Sequence, residues 1–501
     1  MSDKGNHNSE LTKGASLAFL GRLGALAEAV SLPVFAWLYG APTLGIFFAL
    51  WAALRVLTAV CEFAMTTSLQ RFIPRAESDA HAGSIVRLAI TVSLSAGLVI
   101  ALLITLFAPQ IAGLFNAAER EAPHLAQIIR IYAWVLPFWV MVEVLTASIR
   151  AKRAFGPEIR IRIFYEQGLR LLAGVGFFYL GYASFGLFYA HLLSVALASI
   201  LALRLVLQHY DLRAGAVSNA AEILSFSAHM MPANLVKKLN SELPMLLLNM
   251  LLSGAAGAVA AAIFGVARKI ASLLQVFRQS FEYVLAPFAA HKLANGQYDQ
   301  LRDMYALSLR LTLALVIPIG FLVMALRHEI LTLFSMDVPF AGWVLIVLAT
   351  GRMIEGASGP SSAIVEMLGH KALPLLNGVL GIITLVLLQL SLVPHMGPVG
   401  AAIAAAAGLN VVSLLSLGQA IFLYRLNPFN RQLIKPIFFS LAGSLITLVA
   451  LIFVAPYGNI FAGILSITGV LATILMVIRF GLSDSDRTAL GPIGRIFAKS
   501  R

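Results

Sequence analysis

Basic side chains occur inside long apolar segments of this sequence, where a charge needs a compensating partner. A Lys or Arg at the centre of a membrane-spanning helix costs roughly 2.5–3.5 kcal/mol. Five such residues have no Asp or Glu three or four positions away, the spacing that places two side chains on one helix face. They are Arg22, Arg55, Lys237, Arg268 and Lys269. Because guanidinium binds phosphate through paired charged hydrogen bonds, these residues are candidates for holding a phosphate-bearing ligand. Carboxylates on other helices are the alternative partners.

Other basic residues in the apolar segments have an acidic residue at that spacing. The four pairs are Glu166 with Arg170, Lys238 with Glu242, Arg278 with Glu282, and Arg352 with Glu355. We predict that these pairs are structural, because residues three or four apart are neighbours on a helix surface.

Three further carboxylates, Glu28, Glu62 and Glu143, also lie inside apolar segments. They could carry protons, because burial favours the neutral form of a carboxyl group, or they could balance the charge of the arginines. Both roles stay open at this point. No phosphate loop of the GxxxxGK[ST] type occurs in the chain, so we expect no ATP hydrolysis. We predict no cofactor and no metal site.

The segments that position these residues have the composition of membrane helices. Of the 501 residues, 59% are hydrophobic and 12% are charged, against roughly 25% charged in soluble proteins. Blocks such as 437–455 and 459–478 are long enough to cross a bilayer as helices. Runs such as Leu94 to Phe107 lack the alternation of a membrane strand. The sequence therefore predicts an all-α integral membrane protein with about fourteen spans. The lone Cys61 excludes an intrachain disulfide.

An internal repeat organises the spans. A shift of 213 residues places Arg55 on Arg268 and Pro74 on Pro287. We predict two parallel six-helix bundles around a central cavity, the arrangement in which transporters hold substrate near the membrane midplane. The predicted divisions are a cytoplasmic N-terminal segment at 1–14, bundles at 15–210 and 211–430, helices 13 and 14 at 431–480, and a cytoplasmic C-terminal tail at 481–501.

The charge distribution predicts the orientation. Of the 36 Lys and Arg residues, 24 lie in or beside segments on the side of the N-terminus, and only Arg120 and Arg327 lie in the opposite loops. Because positive residues accumulate on the cytoplasmic side, we expect both termini in the cytoplasm. The net charge of +13 is spread over short loops, so we expect no nucleic acid as partner.

Three sequence segments resemble the start of bacterial polysaccharide-biosynthesis membrane proteins, the O-antigen and exopolysaccharide flippases. They are Lys13-Gly14 through Gly21-Arg22, Leu38-Tyr39-Gly40-Ala41-Pro42-Thr43-Leu44-Gly45, and Gln70-Arg71-Phe72-Ile73-Pro74. These flippases belong to one superfamily with lipid II flippases and multidrug and toxic compound extrusion proteins. The chain departs from their pattern at Glu62-Phe63-Ala64, where a glycine usually follows the acidic residue.

The resemblance implies a flippase of the inner membrane that serves lipopolysaccharide or exopolysaccharide synthesis. Its cargo would be an undecaprenyl-diphosphate-linked oligosaccharide, moved by alternating access, with the five basic residues binding the diphosphate. Its partners would be this lipid-linked glycan, membrane lipids and a polysaccharide polymerase or export machinery.

Two other functions compete with this interpretation. A cation-coupled multidrug antiporter of the same superfamily would need carboxylates without partners, whereas basic residues without local partners dominate here. A membrane glycosyltransferase, polymerase or ligase would need a large outer loop or an acid/base cluster outside the membrane, which the short predicted loops cannot supply. We therefore expect a transporter rather than an enzyme.

Overall fold

The structure, a computed structural model, describes residues 24–152, 160–213, 217, 219–294, 297–336, 338–367, 372–454, 456 and 458–490. These residues are almost entirely helical and contain no strand. The predicted all-α fold is therefore confirmed. Arg22 and the segment 1–14 lie outside the described residues, and Glu28 lies in a helix at a position where the side chain is not described.

The chain forms two compact units. The first comprises Gly24–Gly265 with Gln389–Ala401, and the second takes its described residues from Val266–Leu388 and Ala402–Arg501. The predicted bundles, 15–210 and 211–430, rest on an internal duplication rather than on packing. They stay a prediction, as does the separate helix pair at 431–480.

Nine helices lie wholly in the first unit within the described residues. They are α1 Gly24–Glu62, α2 Met65–Phe72, α3 Asp79–Leu106, α4 Ala108–Ala112, α5 Leu125–Tyr132, α6 Val135–Ala151, α7 Glu166–Tyr179, α8 Gly186–His209 and α9 Ala220–Leu251. Short 3-10 turns at Ile73–Arg75 and Ala122–His124 precede α3 and α5, and a π-helical turn at Arg160–Tyr165 leads into α7.

The remaining helices continue along the chain. They are α10 Gly254–Ala294, α11 Tyr298–Ala325, α12 Arg327–Thr332, α13 Pro339–Ala357, α14 Ser361–Met367, α15 Ala372–Phe422, α16 Ile434–Val454, α17 Asn459–Met476 and α18 Asp484–Ala489. A 3-10 turn at Arg431–Leu433 precedes α16, and a π-helical turn at Val477–Gly481 follows α17.

Ten of the described helical segments are long and apolar enough to cross a membrane. Many large apolar side chains on them face outward; on α16, Phe438, Ile446 and Phe453 are 62%, 65% and 72% exposed. Such a surface fits hydrocarbon rather than water. The chain is therefore a multi-pass membrane protein, while the count of fourteen spans stays a prediction.

Two glycines break helices that would otherwise be continuous. Gly40 in α1 has φ 83°, and Gly397 in α15 has φ 54°, which side chains with a Cβ rarely adopt. Each break falls between two predicted spans. Helices α1 and α15 each consist of two helical segments joined at a kink.

The break after α1 has no glycine. Phe63 and Ala64 both adopt left-handed backbone conformations, with φ 50° and 55°, a geometry that costs about 1–3 kcal/mol for each residue. The hydroxyl of Ser93 donates a hydrogen bond of 3.2 Å to the Glu62 carbonyl at this break. A glycine at position 64 would relieve this strain. The chain therefore has a strained backbone at Ala64, where it departs from the pattern noted in the sequence.

Aromatic side chains form much of the interior of the first unit. The hydroxyl of Tyr132 and Nδ1 of His191 are 2.7 Å apart, and both residues are buried. Phe47 and Trp51 pack against the His191 ring, and the guanidinium of Arg170 lies 5.0 Å from the Trp51 ring centroid. This packing ties α1 to α5, α7 and α8.

The second unit contains its own buried ion pairs. Arg278 bonds Glu282 at 2.9 Å and Arg352 bonds Glu355 at 2.7 Å, so both predicted local pairs are confirmed. Arg278 also reaches Glu355 at 2.7 Å, which links α10 to α13. These charges are mutually compensated and structural.

The start of the predicted C-terminal tail is also packed. Asp486 in α18 accepts two hydrogen bonds from Arg310 in α11, at 2.7 and 3.0 Å, and both side chains are buried. This pair fastens α18 to the second unit.

Candidate functional site

Several charged residues of the first unit lie near the end of α1. Arg55 and Glu62 lie two turns apart on α1, Glu143 lies on α6, and Lys237 and Lys238 lie on α9. Helix α9 contains Pro232 and Pro244, each of which removes a backbone hydrogen bond on one side of this lysine pair.

A cavity of about 340 Å³ opens beside these residues within the first unit. Its lining is mostly polar, with side chains from the end of α1, from α2 and from α9. The lining residues are Ala59, Glu62, Ala64, Thr66, Thr67, Asn234, Lys237, Lys238 and Ser241. Two ammonium groups, one carboxylate and several hydroxyl and amide groups therefore face one space.

Arg55 has an acidic partner on another helix. Its Nη1 lies 2.9 Å from Oε1 of Glu242 on α9, and the Glu242 side chain is fully buried while that of Arg55 is 31% exposed. The hydroxyl of Ser241 donates to the same carboxylate oxygen at 3.0 Å. Among the described residues, the predicted Lys238–Glu242 pair is not a direct ion pair. Lys238 interacts with Glu242 electrostatically, and Arg55 forms an ion pair with the Glu242 carboxylate.

Glu143 is held by Arg162, from the π-helical turn before α7. The two terminal nitrogens of Arg162 donate to the two carboxylate oxygens at 2.7 and 3.1 Å. Such a bidentate pair fixes both side chains. Glu143 is therefore ion-paired in this structure, and its predicted role stays a prediction.

Glu62 has a different environment from Glu143 and Glu242. It accepts a hydrogen bond from the hydroxyl of Thr66 and lines the cavity. Its charge interacts with those of Glu143 and Lys238, and no ion pair joins it to a basic group among the described residues. Among these three described carboxylates, Glu62 is the one that lines the cavity.

We call Arg55, Arg162, Lys237, Lys238, Glu62, Glu143 and Glu242 the charged cluster. It has four basic side chains against three carboxylates, and Lys238 interacts electrostatically with Arg55 and with all three carboxylates. Because the basic groups outnumber the acidic ones, the cluster is positive when the carboxylates are ionised. An anion entering the cavity would complete the balance.

The other predicted site residues lie elsewhere or are not described. Arg268 and Lys269 are partly buried on α10, in the second unit. Their predicted role, like that of Arg22 and Glu28, stays a prediction. The structure therefore groups Arg55, Glu62, Glu143 and Lys237 in one unit.

Sequence reasoning missed three members of the cluster. Glu242 and Lys238 are four residues apart and therefore predict a local pair, which hides the longer contact to Arg55. Arg162 falls at the start of a span, where the positive-inside rule explains it as a loop residue. The α1–α9 contact is the missing information, since no local spacing encodes it.

The chain thus has a helical membrane fold, with the charged cluster inside its first unit. The chain is similar to a lipid II flippase in an inward closed conformation, with a TM-score of 0.71 and 16% sequence identity over 92% of this chain and 97% of the other. It is also similar to an inward-facing multidrug resistance transporter of the MATE family, with a TM-score of 0.65 and 18% identity over 81% and 94% of the two chains. Both likenesses show the fold.

A third similar structure is a transporter of the same superfamily, MOP, from Pyrococcus furiosus. Its TM-score is 0.61, with 17% identity over 84% of this chain and 96% of the other. In that transporter, the reverse polarity of the binding pocket suggests a different function. No curated protein matches the sequence.

The family follows from the sequence itself. The profile of the family described as polysaccharide biosynthesis protein matches residues 48–336, which is more than half of the chain. The chain therefore belongs to the polysaccharide biosynthesis protein family, and it has the fold of MOP-superfamily transporters and flippases. The resemblance noted in the sequence is confirmed.

Proposed function

We propose that the chain is a flippase that moves an undecaprenyl-diphosphate-linked oligosaccharide across the cytoplasmic membrane by alternating access. The observation that carries the proposal is the charged cluster, which has four basic side chains and three carboxylates and of which Lys237, Lys238 and Glu62 line the cavity. A diphosphate supplies the anionic charge that such a cluster accommodates. Membership of a polysaccharide biosynthesis family supports a glycan cargo.

The proposed phosphate ligands in the first unit are Arg55 and Lys237. Arg22, Arg268 and Lys269 are also proposed as ligands, on their residue type and their positions in apolar segments. The hydroxyl and amide groups of Thr66, Thr67, Asn234 and Ser241 would accept hydrogen bonds from, or donate them to, the first sugar of the glycan.

Glu62 is the proposed proton-coupling group. It is placed in the cavity without an arginine bonded to it, whereas Glu143 is held by Arg162. Proton binding at Glu62 would make the cluster more positive and favour an anionic cargo, and proton release would favour discharge.

The second candidate function is a cation-coupled multidrug antiporter, which the fold likeness to MATE transporters favours. The two functions predict opposite cargo charge. A cationic drug would meet a cluster in which basic groups prevail, so the flippase is the better supported function.

The remaining proposals concern location and partners. We propose that the protein lies in the inner membrane with both termini in the cytoplasm and that it serves lipopolysaccharide or exopolysaccharide synthesis. A polymerase or export machinery would then receive the glycan on the outer side.

The experiment that tests the function is mass spectrometry of lipids from cells depleted of the protein. Accumulation of one undecaprenyl-diphosphate-linked glycan, reversed by re-expression, is the expected result. Normal lipid pools together with lost export of cationic dyes would favour the antiporter. A control strain expressing Arg55→Ala at the same level separates transport from the presence of the protein.

A further inference from the structure

Arg55, one of the proposed phosphate ligands, already has an internal anion. Oε1 of Glu242 lies 2.9 Å from Nη1 of Arg55, and the Arg55 side chain is partly exposed. A carboxylate and a phosphate use the same guanidinium N–H groups. A phosphate that takes the N–H bonded to Glu242 must therefore replace the carboxylate.

Displacing a fully buried carboxylate is costly unless another cation receives it. Lys238 lies one helical turn before Glu242 on α9, and its charge interacts with both Glu242 and Arg55. Lys238 makes no ion pair within 4.0 Å in the described part of the chain, so its ammonium group is available to a carboxylate four residues away on the same helix.

We propose that Glu242 is a displaceable counter-charge that sets the specificity of Arg55 for anionic cargo. The Glu242 carboxylate bonds Arg55 in this structure, and on arrival of a phosphate it turns to Lys238. This inference rests on the proposed function and deepens it. A neutral or cationic ligand cannot displace Glu242, because it offers Arg55 no anion in exchange.

In this proposal Glu242 and the phosphate compete for Arg55, so the direction of the change in phosphate affinity can be predicted. Removing the charge of Glu242 removes the competitor, so the affinity for a phosphate should rise. If Glu242 instead only holds Arg55 in a productive orientation, its loss should lower the affinity. The two roles therefore predict opposite changes in the affinity for phosphate.

The test uses the full chain in lipid nanodiscs, with undecaprenyl diphosphate as probe and undecaprenol as its neutral match. Binding is measured by native mass spectrometry or thermophoresis. Glu242→Gln keeps the shape and removes the charge. We expect it to bind the diphosphate about tenfold more tightly, equivalent to ~1.4 kcal/mol, with unchanged affinity for undecaprenol. Glu282→Gln, which removes an arginine-paired carboxylate of the second unit, is the control and should leave both affinities unchanged.

A second pair of variants separates the roles of Lys238. Lys238→Gln should weaken binding of the diphosphate, because the displaced carboxylate loses its acceptor. In the Glu242→Gln background the same change should have a much smaller effect, since no carboxylate needs accommodation. An equal effect of Lys238→Gln in both backgrounds would assign Lys238 to direct phosphate binding and overturn the exchange.

The outcomes distinguish this inference from the proposed function. Wild-type protein that does not discriminate the diphosphate from undecaprenol would overturn the proposed function and the exchange with it. Wild-type protein that binds the diphosphate, with equal or weaker binding in Glu242→Gln, would overturn the exchange alone.

Should Glu242→Gln not fold, Ser241→Ala takes its place. This change removes the 3.0 Å hydrogen bond from Ser241 to the Glu242 carboxylate, and about threefold tighter binding of the diphosphate is expected. Unchanged or weaker binding there counts against the exchange.

Discussion

The guanidinium of Arg162 donates two hydrogen bonds to the carboxylate of Glu143, at 2.7 and 3.1 Å. The contact joins the π-helical turn before α7 to the middle of α6, and the guanidinium also lies 5.9 Å from the ring centroid of Trp139. A carboxylate bound in this way is a structural element. Glu143 and Glu62 therefore differ in their surroundings: Arg162 binds Glu143, and Glu62 lines the cavity.

The first prediction follows from this pair. Arg162→Gln should lower the stability of the solubilised protein by about 1.5–3 kcal/mol, the range for hydrogen bonds to charged groups, because Glu143 keeps its charge and loses its partner. The double variant Arg162→Gln with Glu143→Gln should recover part of the loss. Thermal unfolding in detergent measures both. Equal stability of the single variant and the wild type would show that Glu143 is compensated elsewhere.

A second prediction concerns two asparagines that tie a loop to the end of α9. The side chain of Asn249 accepts from the Asn116 backbone N–H at 3.0 Å and donates to the Asn116 carbonyl at 2.8 Å. Asn116 donates in return to the Asn249 carbonyl at 2.9 Å, and Asn249 is fully buried.

Asn249→Ala should therefore destabilise the protein by about 2–4 kcal/mol, since two backbone groups lose their partners. Asn427→Ala is the control, because this exposed side chain accepts one hydrogen bond, of 2.9 Å, within its own turn. Its expected cost is below about 1 kcal/mol. Similar unfolding temperatures for the two variants would contradict the importance of the Asn116–Asn249 contact.

The features that depend on residues close together in the sequence were predictable. Apolar run length predicts the helices well, and Gly40 and Gly397 break helices between predicted spans because only glycine adopts their backbone angles at low cost. The pairs Arg278–Glu282 and Arg352–Glu355 were also predictable, because both partners lie on one helix face.

Contacts between distant helices were beyond such reasoning. Arg55 and Glu242 are far apart in the chain, and only the packing of α9 against α1 makes them partners. The strain at Phe63 and Ala64 was equally hidden, since neither residue type signals a left-handed conformation. Charge count identifies the residues that need a partner, but the partner itself is a tertiary property.

The third prediction concerns the close approach of two helices in the first unit. A Cβ on Gly45 would lie 1.7 Å from the carbonyl oxygen of Ala258, so α1 and α10 contact each other through backbone atoms here. Gly45→Ala should cost about 1–3 kcal/mol through forced displacement of the helices. Gly463→Ala on α17 meets no atom within 4 Å and should be neutral or stabilising. Unfolding midpoints in one detergent provide the comparison, and a neutral Gly45→Ala would contradict the contact.

A fourth prediction tests the orientation. In a Cys61→Ser background, cysteines introduced at Ser2 and Ser500 should react in intact cells only with membrane-permeant thiol reagents, because the charge distribution places both termini in the cytoplasm. A cysteine at the exposed Glu119, beside Arg120 in a predicted outer loop, should react with an impermeant reagent. Labelling of Ser2→Cys or Ser500→Cys from outside would reverse the topology.

The fifth prediction separates the structural and the transport roles of Arg55. Arg55→Ala removes the bonded cation of a fully buried carboxylate, so it should both abolish flipping and lower stability, by about 3–5 kcal/mol for a broken buried pair and less where Lys238 compensates. Adding Glu242→Gln removes the carboxylate that has lost its arginine and should raise the unfolding temperature again, while flipping stays lost because the Arg55 guanidinium is absent. Arg55→Lys should retain partial transport, since it keeps the charge without the planar fork. The paired measurement is thermal stability together with translocation of undecaprenyl-diphosphate-linked glycan in proteoliposomes. Recovery of translocation in the Arg55→Ala, Glu242→Gln variant would mean that Arg55 serves only to neutralise Glu242, and it would remove Arg55 from the set of cargo ligands.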